Sequence, residues 1–371
     1  MGNILYSGLF KELTQYVQPT IDRASEEKKR LFSNTYFEEK LTWGIPQTSL
    51  AFEQLLGRYM VDIAASTIGD DSPEPIRPNQ GLETFAARVL KHAHTYSMTT
   101  QEYRQILSLL NSRALSDTAV RQQMLDIMFG NIQTAVNGVN AKIDMIFLGL
   151  LSNEGIFEFN EDNNPGGGWR GKIDFKMPDE NKMGTAIAWT PDNAENVDVL
   201  EALQAMQEKW ADKTPISEAW VSQSMLNFIL RNKSMKQVIF GVDRAGSILL
   251  QQQFNAFMQE NGLPTFRVVQ RQTRVMLPDG STKTYTPFNG NNIVFLPEGN
   301  LGTVVNAFAD GELRQEPGIA YSNAGRILIS QWGAGKQQNS NGVEFVSAES
   351  LSLPVLTEIE GIYSLNTEGE A

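Results

Sequence analysis

His92 and His94 are the only two histidines in the chain, and it has no cysteine. The pair alternates within an extended stretch, which puts both imidazoles on one side. Two such ligands begin a zinc site, but structural zinc takes four protein ligands and catalytic zinc three. No further histidine or cysteine remains to complete either set, so no metal is expected. The pair reads as surface polar residues of an edge hairpin. A serine triad would also draw its base from this pair, and no Gly-x-Ser-x-Gly elbow occurs. With no thiol nucleophile either, the residue types name no catalytic group and no cofactor.

Two glycine-rich stretches invite comparison with phosphate-binding loops. Gly166-Gly167-Gly168-Trp169-Arg170-Gly171 is followed by a strand pattern and lacks Lys-Ser/Thr. Gly333-Ala334-Gly335-Lys336 lacks the Walker A spacing and the helix after it. Both read as turns. Trp169 beside Arg170 has the chemistry to stack a base, but in an acidic chain core or turn packing is the better reading. Asp70-Asp71, or Glu158 with Asp174, are carboxylate pairs of the type that does acid–base work. With 43 acidic residues such pairs also arise by chance, so an enzyme of this kind is the weaker alternative.

The balance of charge narrows the partners. Net charge is -12, which argues against a protein that grips nucleic acid by neutralising phosphates. It suits a surface that lies near nucleic acid without holding it. At 371 residues, 41% of them hydrophobic and 20% charged, the chain is an ordinary folded protein with room for two or more subdomains. The lack of cysteine suits a reducing cytoplasm, and Met1 to Phe10 lacks the basic patch and apolar core of a signal peptide.

The element that must position everything else is Asp117 to Asn153. Ser116 stands ready as its cap. Val120, Met124, Ile127, Met128, Ile132, Val136, Val139, Ile143, Ile146 and Leu150 recur at three- and four-residue steps, which predicts one apolar face of a helix. No proline interrupts it, and its length would be roughly 55 Å. Lys142 and Asp144 break its apolar end, so it is not a membrane span.

Before this spine, Met1 to Gln47 reads as an arm with a charged run, Glu26, Glu27, Lys28, Lys29 and Arg30. Ala51 to Met60 reads as a short helix and Val61 to Ile68 as a strand. Gly69 to Gly81 carries three prolines and two glycines, the mark of an exposed tip. Leu82 to Met98 returns; its first half also fits helical spacing, and Lys91 to Met98 is extended. The whole makes a long hairpin with little core of its own. Thr100 to Leu115 is a helix leading into the spine. After the spine come a second hairpin, Gly155 to Phe159 with Lys172 to Met177, and then a change of composition near Thr190-Pro191-Asp192. Helices are expected at Val199–Trp210, from Pro215 through Leu230, and at Ser247–Asn261. Strands are expected at Val238–Gly241, Phe266–Gln270, Thr273–Leu277, Thr282–Thr286 and Ile293–Leu296. This makes Thr190 to Trp332 an inserted α/β subdomain. Gly342–Ser347 and Ser352–Glu358 close the chain and are expected to rejoin the sheet begun at Ile156.

In this order the segments resemble the major capsid protein of tailed bacteriophages, the Hong Kong 97-type fold, and in detail the lambda-type major head protein. The stretches that carry the likeness are Val61 to Met98 for the extended loop and Asp117 to Asn153 for the spine. Ile173-Asp174-Phe175 running on to Trp189 is similar to the passage into the axial domain. Ile293-Val294-Phe295-Leu296-Pro297 with Glu298 and Gly299, Leu353 to Leu356 and Tyr363 to Leu365 are similar to the later strands. The resemblance implies an α+β fold with an arm (1–60), an extended loop (61–98), a peripheral domain (99–189 and 333–371) and an axial domain (190–332). It implies a structural protein with no activity, assembled from hexamers and pentamers into an icosahedral shell around double-stranded DNA, with a portal and in some cases a decoration protein. No room for a built-in scaffolding segment precedes the arm, which implies a separate scaffolding protein. The site of such a protein would be virion capsid, built in the host bacterial cytoplasm. Arg77, Phe85, Arg88 and Lys91 in the loop, with Glu26 to Arg30 in the arm, are the expected inter-subunit contacts. An encapsulin-type compartment shell is the alternative within the same fold.

Overall fold

The structure, a computed structural model, describes Gln18, Pro19, Ile21, residues 35–56, 83–97, Gln101, Arg104, Gln105, Ser108, 117–166, 169–211, Lys213, 215–333 and 344–369. Helix α1 (Phe37–Lys40) runs into β1 (Leu41–Trp43). β2 (Ala51–Leu56) pairs with β3 (Glu83–Arg88), and β4 (Leu90–Ser97) follows. The long helix α2 (Asp117–Ser152) leads to the hairpin β5 (Ile156–Phe159) and β6 (Gly171–Asp174), then to β7 (Lys182–Gly184). Next come α3 (Val199–Trp210), β8 (Ile216–Val221), α4 (Gln223–Arg231), α5 (Lys233–Phe240), α6 (Gln251–Glu260) and β9 (Thr265–Val268). The hairpin β10 (Thr273–Met276) and β11 (Thr282–Tyr285) precedes β12 (Asn292–Pro297) and β13 (Gly302–Ala307). A short α7 (Asp310–Leu313), β14 (Ala320–Ala324), β15 (Ile327–Gly333), β16 (Glu344–Val355) and β17 (Tyr363–Asn366) complete the chain. It forms two compact units, Met1–Phe52, Ala87–Asp144 and Thr303–Val355 in one, Glu53–Ala86, Met145–Gly302 and Leu356–Ala371 in the other.

In the first unit β16 is the central strand. β4 pairs along Phe345 to Ser352, β15 along Glu344 to Glu349, and β13 along Leu351 to Val355, all antiparallel. The closing segments are therefore one continuous strand in this sheet, not two strands returning to Ile156, because β4, β15 and β13 between them pair with it along its whole length. β5 and β6 form a separate two-stranded sheet. Residues 44–47 are stitched to β13: Gly44 N–H donates to Val304 O at 3.0 Å, and Asn306 Nδ2 donates to Gly44 O at 2.7 Å. A buried carboxylate of α2 also holds the arm. Asp144 is fully buried, and its Oδ1 accepts from the amides of Tyr36 at 2.7 Å and Phe37 at 3.0 Å. Those amides head α1 and have no partner within the helix. The charge that breaks the apolar run of α2 is thus an anchor for the arm.

Along α2, Ile132, Val136, Val139, Ile143, Ile146 and Leu150 are buried as their spacing predicts; the side chains of 117–129 lie outside the described residues. From Ile143 to Ser152, however, every residue is buried. This end is enclosed on all sides, as a helix with Phe147, Leu148 and Leu151 off the main stripe must be. Gly149 is needed here, since a Cβ would sit 2.3 Å from the Phe157 ring. The helix stops at Glu154 and Gly155, both at positive φ (56° and 81°), and Gly155 N–H reaches back to Leu150 O at 2.8 Å.

The second unit holds a five-stranded mixed sheet in the order β7-β17-β12-β8-β9. β12 is buried at every position, the outcome expected for Ile293 to Leu296. Around it pack Leu203, Met206, Met225, Phe254, Phe266 and Tyr363, with Trp210 between Phe295 (4.9 Å) and Tyr363 (5.5 Å). Three expectations fail in this region and one before it. Ile216–Val221 is a strand, and the helix starts only at Gln223, capped by Ser222 Oγ accepting from Met225 N at 3.1 Å. Val238 to Phe240 ends helix α5 instead of forming a strand. Asn232 caps that helix, and its Nδ2 also ties down Ala194 O and Val197 O, both at 3.1 Å. The third helix is shorter than Ser247–Asn261, and Leu249 alone of its expected first turns is buried, at 3% exposure. Ala51–Leu56 is a strand paired with β3 where a helix was expected; cross-strand pairing there overrides local propensity. Of the Thr100–Leu115 helix only Gln101, Arg104, Gln105 and Ser108 are described, all helical; Val61 to Leu82 lies outside the described residues. The strands β13 to β15 belong to the sheet of β16, whereas the chain order suggested that they lie with the inserted subdomain.

Asp144→Ala removes both acceptor bonds from buried amides, each worth about 1.5–3 kcal/mol when the acceptor is charged. Stability should fall by several kcal/mol, and the amides of Tyr36 and Phe37 should exchange faster while those of β15 keep their protection. Unchanged exchange at Tyr36 and Phe37 would show that the arm is held elsewhere.

Candidate functional site

Carboxylates and lysines meet at one groove of about 400 Å³ in the second unit, lined by Glu154, Ile156, Asp174, Lys176, Met177, Pro178, Asp179 and Lys182. Strand register decides its chemistry. Ile156 faces Asp174 and Glu158 faces Lys172, so a lysine stands directly opposite Glu158 and beside Asp174. Lys172 Nζ lies 3.1 Å from Asp174, and Lys182 Nζ lies 2.9 Å from Asp179 and 3.9 Å from Glu154. Partial burial acts to raise the Asp174 pKa. The Lys176 amide, the Lys172 ammonium and both lysine charges outweigh it and hold the carboxyl below its usual value. A carboxylate stabilised as the anion is a poor general acid. Glu358 is raised, by partial burial and then by Glu360, but it sits in the closing turn with its amide on Leu301 O at 3.1 Å and does not line the groove. Asp70 and Asp71 lie outside the described residues.

The glycine-rich turn is packed by its own tryptophan. Trp169 meets Phe159 edge to face at 4.7 Å, and a Cβ on Gly171 would lie 2.6 Å from its ring. Arg170 turns to Glu161 and to Asn164 O (2.9 Å). Trp169 and Arg170 therefore close a turn, the outcome expected from their setting. On the neighbouring hairpin, Lys283 pairs with Asp162 at 2.5 Å. Residues 334–343, which include Lys336, lie outside the described residues.

His92 is not a surface residue, and His94 is half-buried. β4 pairs His92 with Ser350 and His94 with Ala348, and that face of the sheet lies on α2. His92 is 6% exposed, and its Nε2 stands 3.1 Å from Ser352 O. A carbonyl only accepts, so Nε2 carries the proton. His94 stacks on Tyr96 at 4.6 Å, and its Nδ1 occupies the place a Cβ on Gly138 would need. Alternation correctly put the two imidazoles on one side; the sheet on which that side is covered was not legible. Burial pushes the His92 pKa down to about 4, the Lys142 charge adds to this, and the bond to Ser352 opposes it. Burial also lowers His94. Among the described residues no group of histidine and acidic side chains could hold a metal.

The expected inter-subunit residues are scattered over different settings. Phe85 is half-buried, its ring 4.6 Å from Phe175 of the same chain. Lys91 pairs with Glu349 at 2.6 Å on the face of β4 opposite the histidines. Arg88 is exposed. Arg77 and Glu26, Glu27, Lys28, Lys29 and Arg30 lie outside the described residues. Sequence reasoning missed Asp144, whose only signal is an acid inside an apolar helical run. It also missed a set of exposed apolar side chains between Val238 and Leu250, which local patterning assigns to a core. No described helix is long and apolar enough to cross a membrane.

Two solved structures share this fold along nearly their whole length. A candidate capsid protein of a prophage from E. coli CFT073 superposes with a TM-score of 0.57 at 11% identity, covering 94% of this chain and 98% of that one. A phage-related protein from Bordetella bronchiseptica RB50 gives 0.53 at 10% identity, covering 95% and 97%. No family model matches the sequence, and no curated protein does. The chain has the α+β fold of phage capsid proteins, as the order of its segments implied.

The buried His92 makes stability depend on pH. Its folded pKa lies below the ordinary 6.5, so below pH 6.5 the unfolded chain binds a proton that the folded chain refuses. Stability should be full above that pH and fall toward pH 4 by up to about 1.4 kcal/mol per unit. His92→Gln keeps a donor for Ser352 O and should flatten that part of the profile in urea titrations between pH 4 and 7. Parallel profiles for the two proteins would mean that His92 is not buried as the neutral imidazole.

Proposed function

We propose that this chain is the structural shell protein of a tailed bacteriophage and self-assembles into the icosahedral head that encloses the genome. The observation that carries this reading is the fold, shared end to end with a phage capsid protein. The site chemistry supports it: the one carboxylate-rich groove described above is neutralised by lysines, and the histidines are spent on packing. Its partners in this reading are copies of itself in hexamers and pentamers, a separate scaffolding protein, a portal and in some shells a decoration protein. Double-stranded DNA is enclosed without being gripped, in keeping with the net charge of -12.

In the same reading the hairpin that returns through β3 reaches across a neighbour, while β4, the end of the expected loop 61–98, stays in the sheet of its own chain. Arg77, Phe85, Arg88 and Lys91, with Glu26 to Arg30 of the arm, supply its contacts. Phe85 and Lys91 already have partners within the chain, so Arg88 is the described residue with most to offer outward. Exposed ion pairs contribute only about 0.2–1 kcal/mol each, and the larger part of the contact energy comes from apolar area buried at every subunit.

Purified wild-type protein should sediment as large closed particles. A variant in which residues 70–80 are replaced by a short turn should keep its circular dichroism spectrum and sediment as subunits or small oligomers. Normal particles from that variant would remove the hairpin from assembly. A wild type that stays monomeric with and without scaffolding protein would remove the shell function itself.

A further inference from the structure

Four of the nine large apolar side chains exposed among the described residues fall within thirteen positions. Val238 is 46% exposed, Val242 75%, Ile248 81% and Leu250 58%. Val238 lies in the last turn of α5, and the other three follow it on the segment Gly241–Leu250. Gly241 N–H donates to Gln237 O at 2.9 Å, Arg244 N–H to Gly241 O at 3.1 Å, and Ser247 N–H to Arg244 O at 2.9 Å. Leu249, buried to 3% exposure, pins the turn to the core and leaves Ile248 and Leu250 outside. A patch of this kind on an ordered segment marks an interaction surface.

Charge says what covers it. The stretch that carries the patch, residues 231–250, also holds Arg231, Lys233, Lys236 and Arg244, with Asp243 its one acid. In a chain of net charge -12 this is a basic exception, and its complement lies in the same unit. From Thr190 to Glu208 there are five acids, Asp192, Glu195, Asp198, Glu201 and Glu208, all exposed, and no base. On α3, Val199, Leu203, Met206 and Trp210 face the core. The outer stripe is then Glu201, Gln204, Ala205 and Glu208, spaced i, i+3, i+4, i+7 on one helix face. Its centre is a small alanine flanked by glutamates, a shape and charge that fit an apolar knob on a basic stretch of chain.

We infer that the turn Gly241–Leu250 of one copy docks on the outer stripe of α3 in the next copy, head to tail. A tip-to-tip contact would set the basic residues of two copies against each other. The tip-to-stripe contact joins different surfaces of the two copies, and a contact of that type forms a ring where its rotation closes. This inference rests on the shell reading and names one contact by which its subunits join.

The chain has no cysteine, so introduced thiols report alone. In assembled protein under mild oxidation, Ile248→Cys and Ala205→Cys should each stay uncrosslinked. The double variant should give a ladder of covalent multimers on a non-reducing gel, ending at the closed ring. Reversing Lys233 and Lys236 to glutamate should abolish the ladder in that background, and Glu201→Lys with Glu208→Lys should restore it. Covalent dimers from Ile248→Cys alone would overturn the head-to-tail contact. So would particles of normal sedimentation in which the double variant does not crosslink, and that result would leave the shell reading standing. A wild type that forms no particles would overturn the shell reading and this contact with it.

Discussion

Strand β16 is hydrogen-bonded along both edges, and the first unit exists because of it. Over its twelve residues it holds β4 on one side and β15 and then β13 on the other. It thereby joins pieces of chain as far apart as His92 and Ser352, 260 residues in sequence. Remove β4 and a row of β16 amides and carbonyls is left as an open edge. The closure entropy of so long a connection grows only slowly with its length, so the ladder and the apolar contacts beside it outweigh it.

That constraint explains how an extended segment belongs to a stable protein. β2 and β3 alone form a two-stranded ribbon, which is marginal in water. Their root is secure because β4 continues from β3 after Val89, is built into a six-stranded sheet, and lays His92 and His94 on α2. At the other end of the first unit, Asp144 uses one buried carboxylate oxygen to hold the start of α1. Both devices fix the bases of the two segments to which the shell reading gives the inter-subunit contacts. A shell subunit needs that division between a fixed base and an exchangeable reach. A catalytic cleft needs convergent polar groups of shifted pKa, and the groove at Asp174 offers carboxylates already paired with lysines.

The long helix was legible because ten apolar residues keep one period for nine turns; only the all-round burial of its end was not, since that depends on what surrounds it. The hairpin at Pro278-Asp279-Gly280 and the buried strand Ile293–Leu296 were legible for the same reason, strong local signals with no rival. Pro215 misled because proline serves equally before a strand, and Ala219-Trp220-Val221 earns its place between β12 and β9, which no local window contains. Val238-Ile239-Phe240 reads as a strand until Asn232 is seen to cap the helix that contains it. Of the candidate site, alternation gave the shared side of the histidines, and the absence of cysteine removed whole classes of chemistry. Their burial, the role of Asp144 and the lysine opposite Glu158 follow from pairings between distant segments, which a single sequence does not print.

The claim on which the rest depends is that this chain builds a closed shell, and an image of the assembled protein tests it most directly. Electron cryomicroscopy of purified protein, with scaffolding protein added if it does not assemble alone, should yield icosahedral particles. Their density should be fitted by this subunit fold in hexamers and pentamers, with β4 and β16 paired in every copy. Dispersed monomers, or a discrete small oligomer that never closes, would contradict the account.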